Sequence, residues 1–514
     1  MSDGFSGIGH DIAPMSRDTR AMSPPPRPTF HDLLPELPAG VEDFPVAGIT
    51  ADSRRVQPGW LFVAVPGTKA DGMGYVADAA ARGAAAIIGE GMAPADLPAG
   101  VAYARVPDAR RALALVASRF YPVQPDTIVA VTGTSGKSSV ADFTRQLFAN
   151  NLGVRSASLG TLGVITSDGT AYGSLTTPDP VTLHETLDRL AGEGVSHLAM
   201  EASSHGLDQR RLDGVQLAAA GFTNLGRDHL DYHPTVEAYL AAKLRLFDTL
   251  LPPGRPAVVN ADGPYADRVI AAAKARGHRV LTTGRAGDFL KVVEWSHKGF
   301  SHSLTIEHAD AGRYRVEAEL RLPGDFQVEN ALVAAGLVLA SCPEADGPSL
   351  IESIVELRGV PGRMERVGEV SGALCIVDYA HKPEALAHVL DALRPFATGR
   401  LVCVFGCGGD RDRGKRPIMG GIAAEKADLV IVTDDNPRSE NPAAIRAEIM
   451  AAVPGAREIG DRAEAIRVAI QELQAGDVLV VAGKGHETGQ IVGDRTLPFS
   501  DHEVIRAAIA ERVQ

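Results

Sequence analysis

Thr127-Ile-Val-Ala-Val-Thr-Gly-Thr-Ser-Gly-Lys-Ser-Ser-Val-Ala-Asp-Phe-Thr-Arg145 runs from a short apolar stretch, through a glycine turn, into residues of helical composition. A strand feeding a glycine loop that opens a helix gathers backbone N–H groups and the positive end of a helix dipole at one point, where phosphate oxygens bind. Gly133 and Gly136 let the backbone approach such oxygens, with Thr134, Ser135 and Ser139 completing the loop. Lys137 reaches toward β- and γ-phosphates, and Ser138 offers a hydroxyl to Mg²⁺. Val131 stands at the first glycine position of the G-x-x-x-x-G-K-[ST] pattern. The preceding strand and the Gly-Lys-Ser triplet carry the reading against a generic turn.

Outward from this loop, apolar runs alternate with helical stretches in both directions, the pattern of an α/β protein with parallel sheets. Trp60–Val65 precedes it; Cys375–Val377, Leu401–Phe405, Leu429–Val432 and Val478–Val481 follow as buried strands. Proline and glycine punctuation at Pro122 and Pro125, and at Arg358–Arg363, divides the chain. The expected organisation is three domains, 29–122, 123–357 and 358–514, the second a P-loop-type parallel sheet and the third Rossmann-like. Residues 1–28, with Pro24-Pro25-Pro26 and no apolar core, read as a disordered extension.

At 514 residues the chain exceeds a single core. A net charge of −13 argues against a dedicated nucleic-acid or anionic-membrane partner. The longest apolar run, Ala331–Ala340, is half a bilayer crossing and reads as a buried helix. Cys342, Cys375, Cys403 and Cys407 form no CxxC pair, so neither a zinc site nor a disulfide framework is expected, and a reducing cytoplasm fits.

Three further stretches carry chemistry. Glu201 follows the strand Val195–Met200, at the carboxyl end where α/β sheets bind ligands. Thr223–His233 offers Asp228, His229, Asp231 and His233 in a glycine-containing loop. In Val236–Leu250, positions 236, 240, 243, 247 and 250 share one helical face, apolar except for Lys243. Such a lysine either snorkels from the edge of the face or is buried, where it must be neutral, paired or modified.

These residues, with others, resemble the Mur ligases of peptidoglycan synthesis, most closely the members that add meso-2,6-diaminopimelate. The resemblance runs from about residue 46 to the C-terminus. It is carried by Asp52-Ser-Arg54, the Gly133 loop, Leu175-Thr-Thr-Pro178, Met200–Leu207, Asn224–His233, Lys243, Gly324–Asn330, Val377–His381, Gly406–Arg411, Asp435-Asn-Pro-Arg438 and Gly483–Glu487. It implies one domain for a UDP moiety, a central ATP-binding domain and a C-terminal domain for the incoming amino acid, in a cytoplasmic monomer. It implies Mg²⁺ held by Ser138, Glu201 and His229, and Lys243 carboxylated on its amine, so that Lys137, Lys243, His229 and Glu201 form the catalytic set. Ser53, Thr176, Thr177, Ser203, Gln209 and Arg211 resemble contacts to UDP-N-acetylmuramoyl-dipeptide; Asn330, Arg363 and Asp378 resemble contacts to ATP. His381 belongs to the same motif without an assigned role. Gln327 and Leu175 depart from the family pattern.

The implied reaction is ATP-driven amide formation through an acyl phosphate at the D-glutamate γ-carboxylate. Cations must converge there because carboxylate and triphosphate repel. Diaminopimelate differs from lysine by a carboxylate at its far end. Arg438 can clamp that group in a bidentate fork, with Arg411 as a second cation, while Glu487 and the Gly483 carbonyl receive the ammonium. Asp435, Asn436 and Pro437 complete the motif. Related Mur or folylpolyglutamate-type ligases share the loop and the mechanism. A nucleotide-binding switch protein that does not ligate needs no second carboxylate site.

Overall fold

The computed structural model describes residues 27–37, 41–67, 71–171, 173, 175–226, 228–229, 232–298, 300–310 and 312–513. Residues 1–26, most of the expected extension, and Asp231 of the histidine loop lie outside them. The described chain forms two compact units, one ending at Arg105 and the other beginning at Val106.

The first unit holds a four-stranded sheet in the order Gly48–Thr50, Trp60–Ala64, Ala86–Gly89, Ala102–Arg105, every pair parallel. Phe62 and Ile87 bury one face against Val76 and Ala79 of the helix Val76–Ala81. Asp52 caps the short turn Ser53–Arg55, accepting from Arg54 N, and Ser53 is buried.

In the second unit, an 11-stranded sheet holds Thr127–Thr132 in its interior, paired with Leu217–Phe222 on one side and His197–Glu201 on the other. From Leu290–Lys298 across to Ser156–Gly160 the neighbours run parallel. Antiparallel pairs finish both edges. Helix Lys137–Leu152 packs against helix Asp325–Ser341, joining Val140, Phe143 and Leu147 to Leu332, Val333 and Leu337 in one core. Each such fully buried side chain contributes about 1.5–3 kcal/mol, so the helix behind the glycine loop is firmly seated. The run Ala331–Ala340 lies inside helix Asp325–Ser341, and among the described residues no helix is long and apolar enough to cross a membrane.

Helix Ala109–Phe120, which precedes Pro122, belongs to this unit, where it packs against helix Pro180–Gly192. The link at Pro122 is itself tied down, Gln124 Nε2 donating to Gly214 O at 3.0 Å. A composition break at proline therefore does not coincide with the break in contacts.

A separate six-stranded sheet follows in the order Glu365–Val370, Ala373–Asp378, Val478–Ala482, Leu401–Phe405, Leu429–Val432, Arg457–Glu458. All its pairs are parallel except the first. Its two faces carry separate apolar clusters, as expected of strands buried on both sides. All four cysteines are buried and free, and burial raises the Cys375 and Cys403 thiols to about 12.

Candidate active site

The glycine loop closes where the sequence places it. Gly136, at φ +85°, caps helix Lys137–Leu152, and a Cβ there would overlap Asn330 Oδ1, so only glycine lets the loop lie against that amide. Neighbouring strand ends hold the loop from outside. Asn224 Oδ1 accepts from Ser135 N at 3.0 Å, and Thr223 Oγ1 donates to Ser135 O at 2.6 Å.

Two amines meet at one loop carbonyl. Lys137 Nζ donates to Gly133 O at 3.0 Å and to Thr134 O at 2.8 Å. Lys243 Nζ donates to the same Gly133 O at 2.6 Å, its side chain buried at 1% exposure and its Nζ 4.4 Å from the centre of the Tyr239 ring. Burial, then the charge of Lys137, holds the Lys243 amine well below its ordinary pKa, against the opposing pull of Asp228. The helix Val236–Arg245 passes into a π-helical turn, Leu246–Leu250, that keeps Phe247 on the buried face beside Leu240 and Lys243.

Glu201 is the last residue of strand His197–Glu201 rather than the one after it, and it is buried. Its Oε1 accepts from Ser138 Oγ and from Thr161 N, both at 2.8 Å, and its Oε2 accepts from Thr161 Oγ1 at 3.3 Å. A hydroxyl and a carboxylate oxygen side by side at the start of a phosphate-binding helix are hard donors suited to Mg²⁺. Asp228 and His229 line the same cavity, with His229 at φ +54° and its Nε2 3.6 Å from Asp228 Oδ2.

That cavity, about 420 Å³, is walled by Thr134 to Ser139, Thr176, Glu201, Ser203, His229 and Lys243, with Arg363 and Asp378 from the six-stranded sheet's side. Asp378 accepts from Met364 N and Ala380 N, each at 2.7 Å. Burial nevertheless raises its pKa from 3.8 to about 6, opposed by those N–H groups and by Arg363. Behind the wall a hydroxyl chain links Thr177 Oγ1 to Glu201 O and Ser203 Oγ, and Arg211 joins the Thr177 carbonyl to Gln209 Oε1. Gln327 is fully buried and accepts from Asn330 Nδ2 at 3.1 Å, which holds Asn330 in place. Leu175 is half-exposed. Ser53 belongs to the other unit.

A second cavity, about 580 Å³, holds Arg411, Asp435, Asn436, Arg438, Gly483 and Glu487 in its wall; Pro437 is buried just behind. Arg438 sits at φ +51°, its backbone paired with Ile491 O and Gly493 N and its Nη1 donating to Gly409 O at 2.9 Å. Glu487 Oε2 already accepts from Asn436 Nδ2 and Lys484 Nζ, both at 2.8 Å. Tyr379, His381 and Lys382 line both cavities.

The sequence reading did not single out Thr161, Tyr239, Tyr379 or Lys484. Thr161 and Tyr239 carry no local signal. Lys484 lies inside the Gly483–Glu487 motif, but spacing alone says nothing of its buried partners. Two further donor groups, His197–Cys342–Glu344 and His297–His302–Asp325, have their atoms within 4.8 Å of one another, and neither contributes to a cavity wall.

Comparison with known proteins finds three family models along the chain. Residues 45–121 match the Mur ligase family catalytic domain, 131–338 the Mur ligase middle domain, and 362–485 the Mur ligase glutamate ligase domain. The chain is 58% identical over 481 residues to the UDP-N-acetylmuramoyl-L-alanyl-D-glutamate–2,6-diaminopimelate ligase of Rhizobium meliloti (strain 1021), covering 93% of this chain and 97% of that protein. It is also 58% identical, over 485 residues, to the protein of the same name from Agrobacterium fabrum, covering 94% and 97%. A solved structure of that name superposes with a TM-score of 0.71 at 34% identity, covering 95% of this chain and 99% of the other.

Proposed function

The chain belongs to the Mur ligase family, and from that premise we propose that it is an ATP-dependent ligase joining meso-2,6-diaminopimelate to the D-glutamate γ-carboxylate of UDP-N-acetylmuramoyl-L-alanyl-D-glutamate. The observation that carries this reading is the shared wall of Tyr379, His381 and Lys382. It sets a phosphate-loop cavity beside one lined with Arg438 and Glu487. We read the four-stranded sheet as serving the UDP moiety through Ser53, the 11-stranded sheet as serving ATP, and the six-stranded sheet as serving the amino acid. The enzyme would act as a cytoplasmic monomer, with neither nucleic acid nor membrane as partner.

The γ-carboxylate attacks the γ-phosphorus of ATP, releasing ADP and leaving an acyl phosphate. The diaminopimelate amine adds to that carbonyl, and the tetrahedral adduct expels phosphate. Lys137 leaves its loop carbonyls to meet the phosphates, while Thr176, Thr177, Ser203, Gln209 and Arg211 orient the dipeptide. Asn330, Arg363 and Asp378 bind the nucleotide. Ser138, Glu201 and His229 would hold Mg²⁺, and the ion supplies positive charge that offsets repulsion between carboxylate and triphosphate. Burial disfavours the charged form of Lys243, and its free amine adds CO₂ to give a carbamate and a proton, so that an oxygen donor stands where an ammonium would repel the ion.

The test is ADP release by the full chain. It should require both the UDP-dipeptide and diaminopimelate, with a tripeptide product of matching amount. ADP release indifferent to either substrate would refute the ligase reading and favour a nucleotide switch.

A further inference from the structure

Lys484 follows strand Val478–Ala482 between two glycines, and its side chain is fully buried. Its Nζ donates to Glu487 Oε2 at 2.8 Å and to Asn436 Oδ1 at 3.1 Å. Asn436 is fixed in both senses, its Nδ2 donating to the same Glu487 Oε2 at 2.8 Å and its Oδ1 also accepting from Ile491 N at 2.9 Å. These bonds converge on one oxygen of Glu487. Glu487 Oε1 receives no donor among the described residues, and Glu487 lines the 580 Å³ cavity whereas Lys484 does not.

A buried ammonium is costly to desolvate, and a methionine would fill the same space without that cost. What the ammonium adds is an arrangement. We propose that Lys484 is a positioning residue of the amino-acid cavity, locking Glu487 and Asn436 from behind the wall so that Glu487 Oε1 stays available to the ammonium of the incoming amino acid. The proposal rests on the reading of this cavity given above. It also concerns charge, because Lys484 offsets part of the negative charge of Glu487 and of buried Asp435. A zwitterionic distal end then enters without adding net charge, whereas a lone distal ammonium competes with Lys484 for Glu487.

The test is steady-state kinetics of the full chain with diaminopimelate varied against saturating ATP and UDP-dipeptide. Lys484→Met should raise KM for diaminopimelate by roughly 10-fold or more, the order of effect seen when a group that orients a ligand-binding residue is removed. KM for ATP should change by less than about 2-fold, as for an independent site. Glu487→Gln should act alike, and the double variant should be no worse than the more impaired single one, because the lysine acts only through that carboxylate. An unchanged KM in Lys484→Met, or effects that multiply in the double variant, would overturn the proposal. Should Lys484→Met alone fail to fold, the double variant leaves neither charge unpaired and is compared with Glu487→Gln. Equal KM values then support the proposal and a further rise overturns it. Wild-type dependence on diaminopimelate tests the premise separately, since its absence refutes the cavity's assignment whatever the variants do.

Discussion

Gly133 O accepts from both Lys137 and Lys243, which puts two ammonium-forming groups on one carbonyl. Like charges so close favour neutrality in the more buried of the two, and Lys243 is that one. Lys243→Ala should therefore nearly abolish ADP release without unfolding the chain, and added short carboxylates should restore part of it by standing in for the carbamate. Full activity in the alanine variant would refute carbamate formation at this position. Arg438 tests the other cavity. Removing one partner of a desolvated charge-assisted pair costs about 2–5 kcal/mol, so Arg438→Ala should lower kcat/KM for diaminopimelate by roughly 30-fold or more. Lysine, which lacks the distal carboxylate, should suffer less, and competition assays would show the preference narrowing. An unchanged ratio would make the Arg438 bond to Gly409 O its whole role. At this scale the sequence was informative where periodicity or a motif constrained it. Lys243 stood out as the one cation on an apolar face, whereas the bonds of Lys484 and Thr161 depend on turns that meet only in three dimensions.

Strand Ser156–Gly160 ends against the carboxylate of Glu201, and a Cβ at Gly160 would overlap Glu201 Oε1. Gly160→Ala should push that carboxylate away from Ser138 and cost about 1–3 kcal/mol of stability, the usual penalty for overpacking. A drop in ligation well beyond the loss in melting temperature is the expected result; retained activity would mean Glu201 can be displaced without consequence. Element boundaries explain much of what the sequence could and could not say. Alternating strands and helices, and the glycine loop, follow from local pattern. The antiparallel strands Leu290–Lys298, Ser301–Asp310 and Gly312–Leu320 were not anticipated, because half-exposed alternating residues give a weak signal beside buried parallel strands. Helix Ala109–Phe120 shows a similar limit, its allegiance decided by packing against Pro180–Gly192 rather than by the proline after it.

Across the molecule, Asp378 links stability to pH. Its folded pKa of about 6 lies above the ordinary 3.8, so the folded state holds this proton more tightly than the unfolded chain. Its contribution is most favourable below about pH 4 and is lost as pH rises through about 6. Melting curves of the wild type and Asp378→Asn should accordingly diverge between about pH 4 and pH 6, with the wild type losing ground as pH rises and little further change above that; parallel profiles would show that Asp378 keeps an ordinary pKa. Sheet order has a different consequence. Thr127–Thr132 is flanked by His197–Glu201 and Leu217–Phe222, both made later by the ribosome. The apolar strand that leads into the phosphate loop therefore has no sheet neighbour until about residue 201 and lacks the second until residue 222 has been synthesised. Such distant pairing closes slowly and leaves sticky surface exposed meanwhile. The nascent chain is most in need of a chaperone over that interval, and a truncation ending before Leu217 would lack one side of the sheet on which the loop is built.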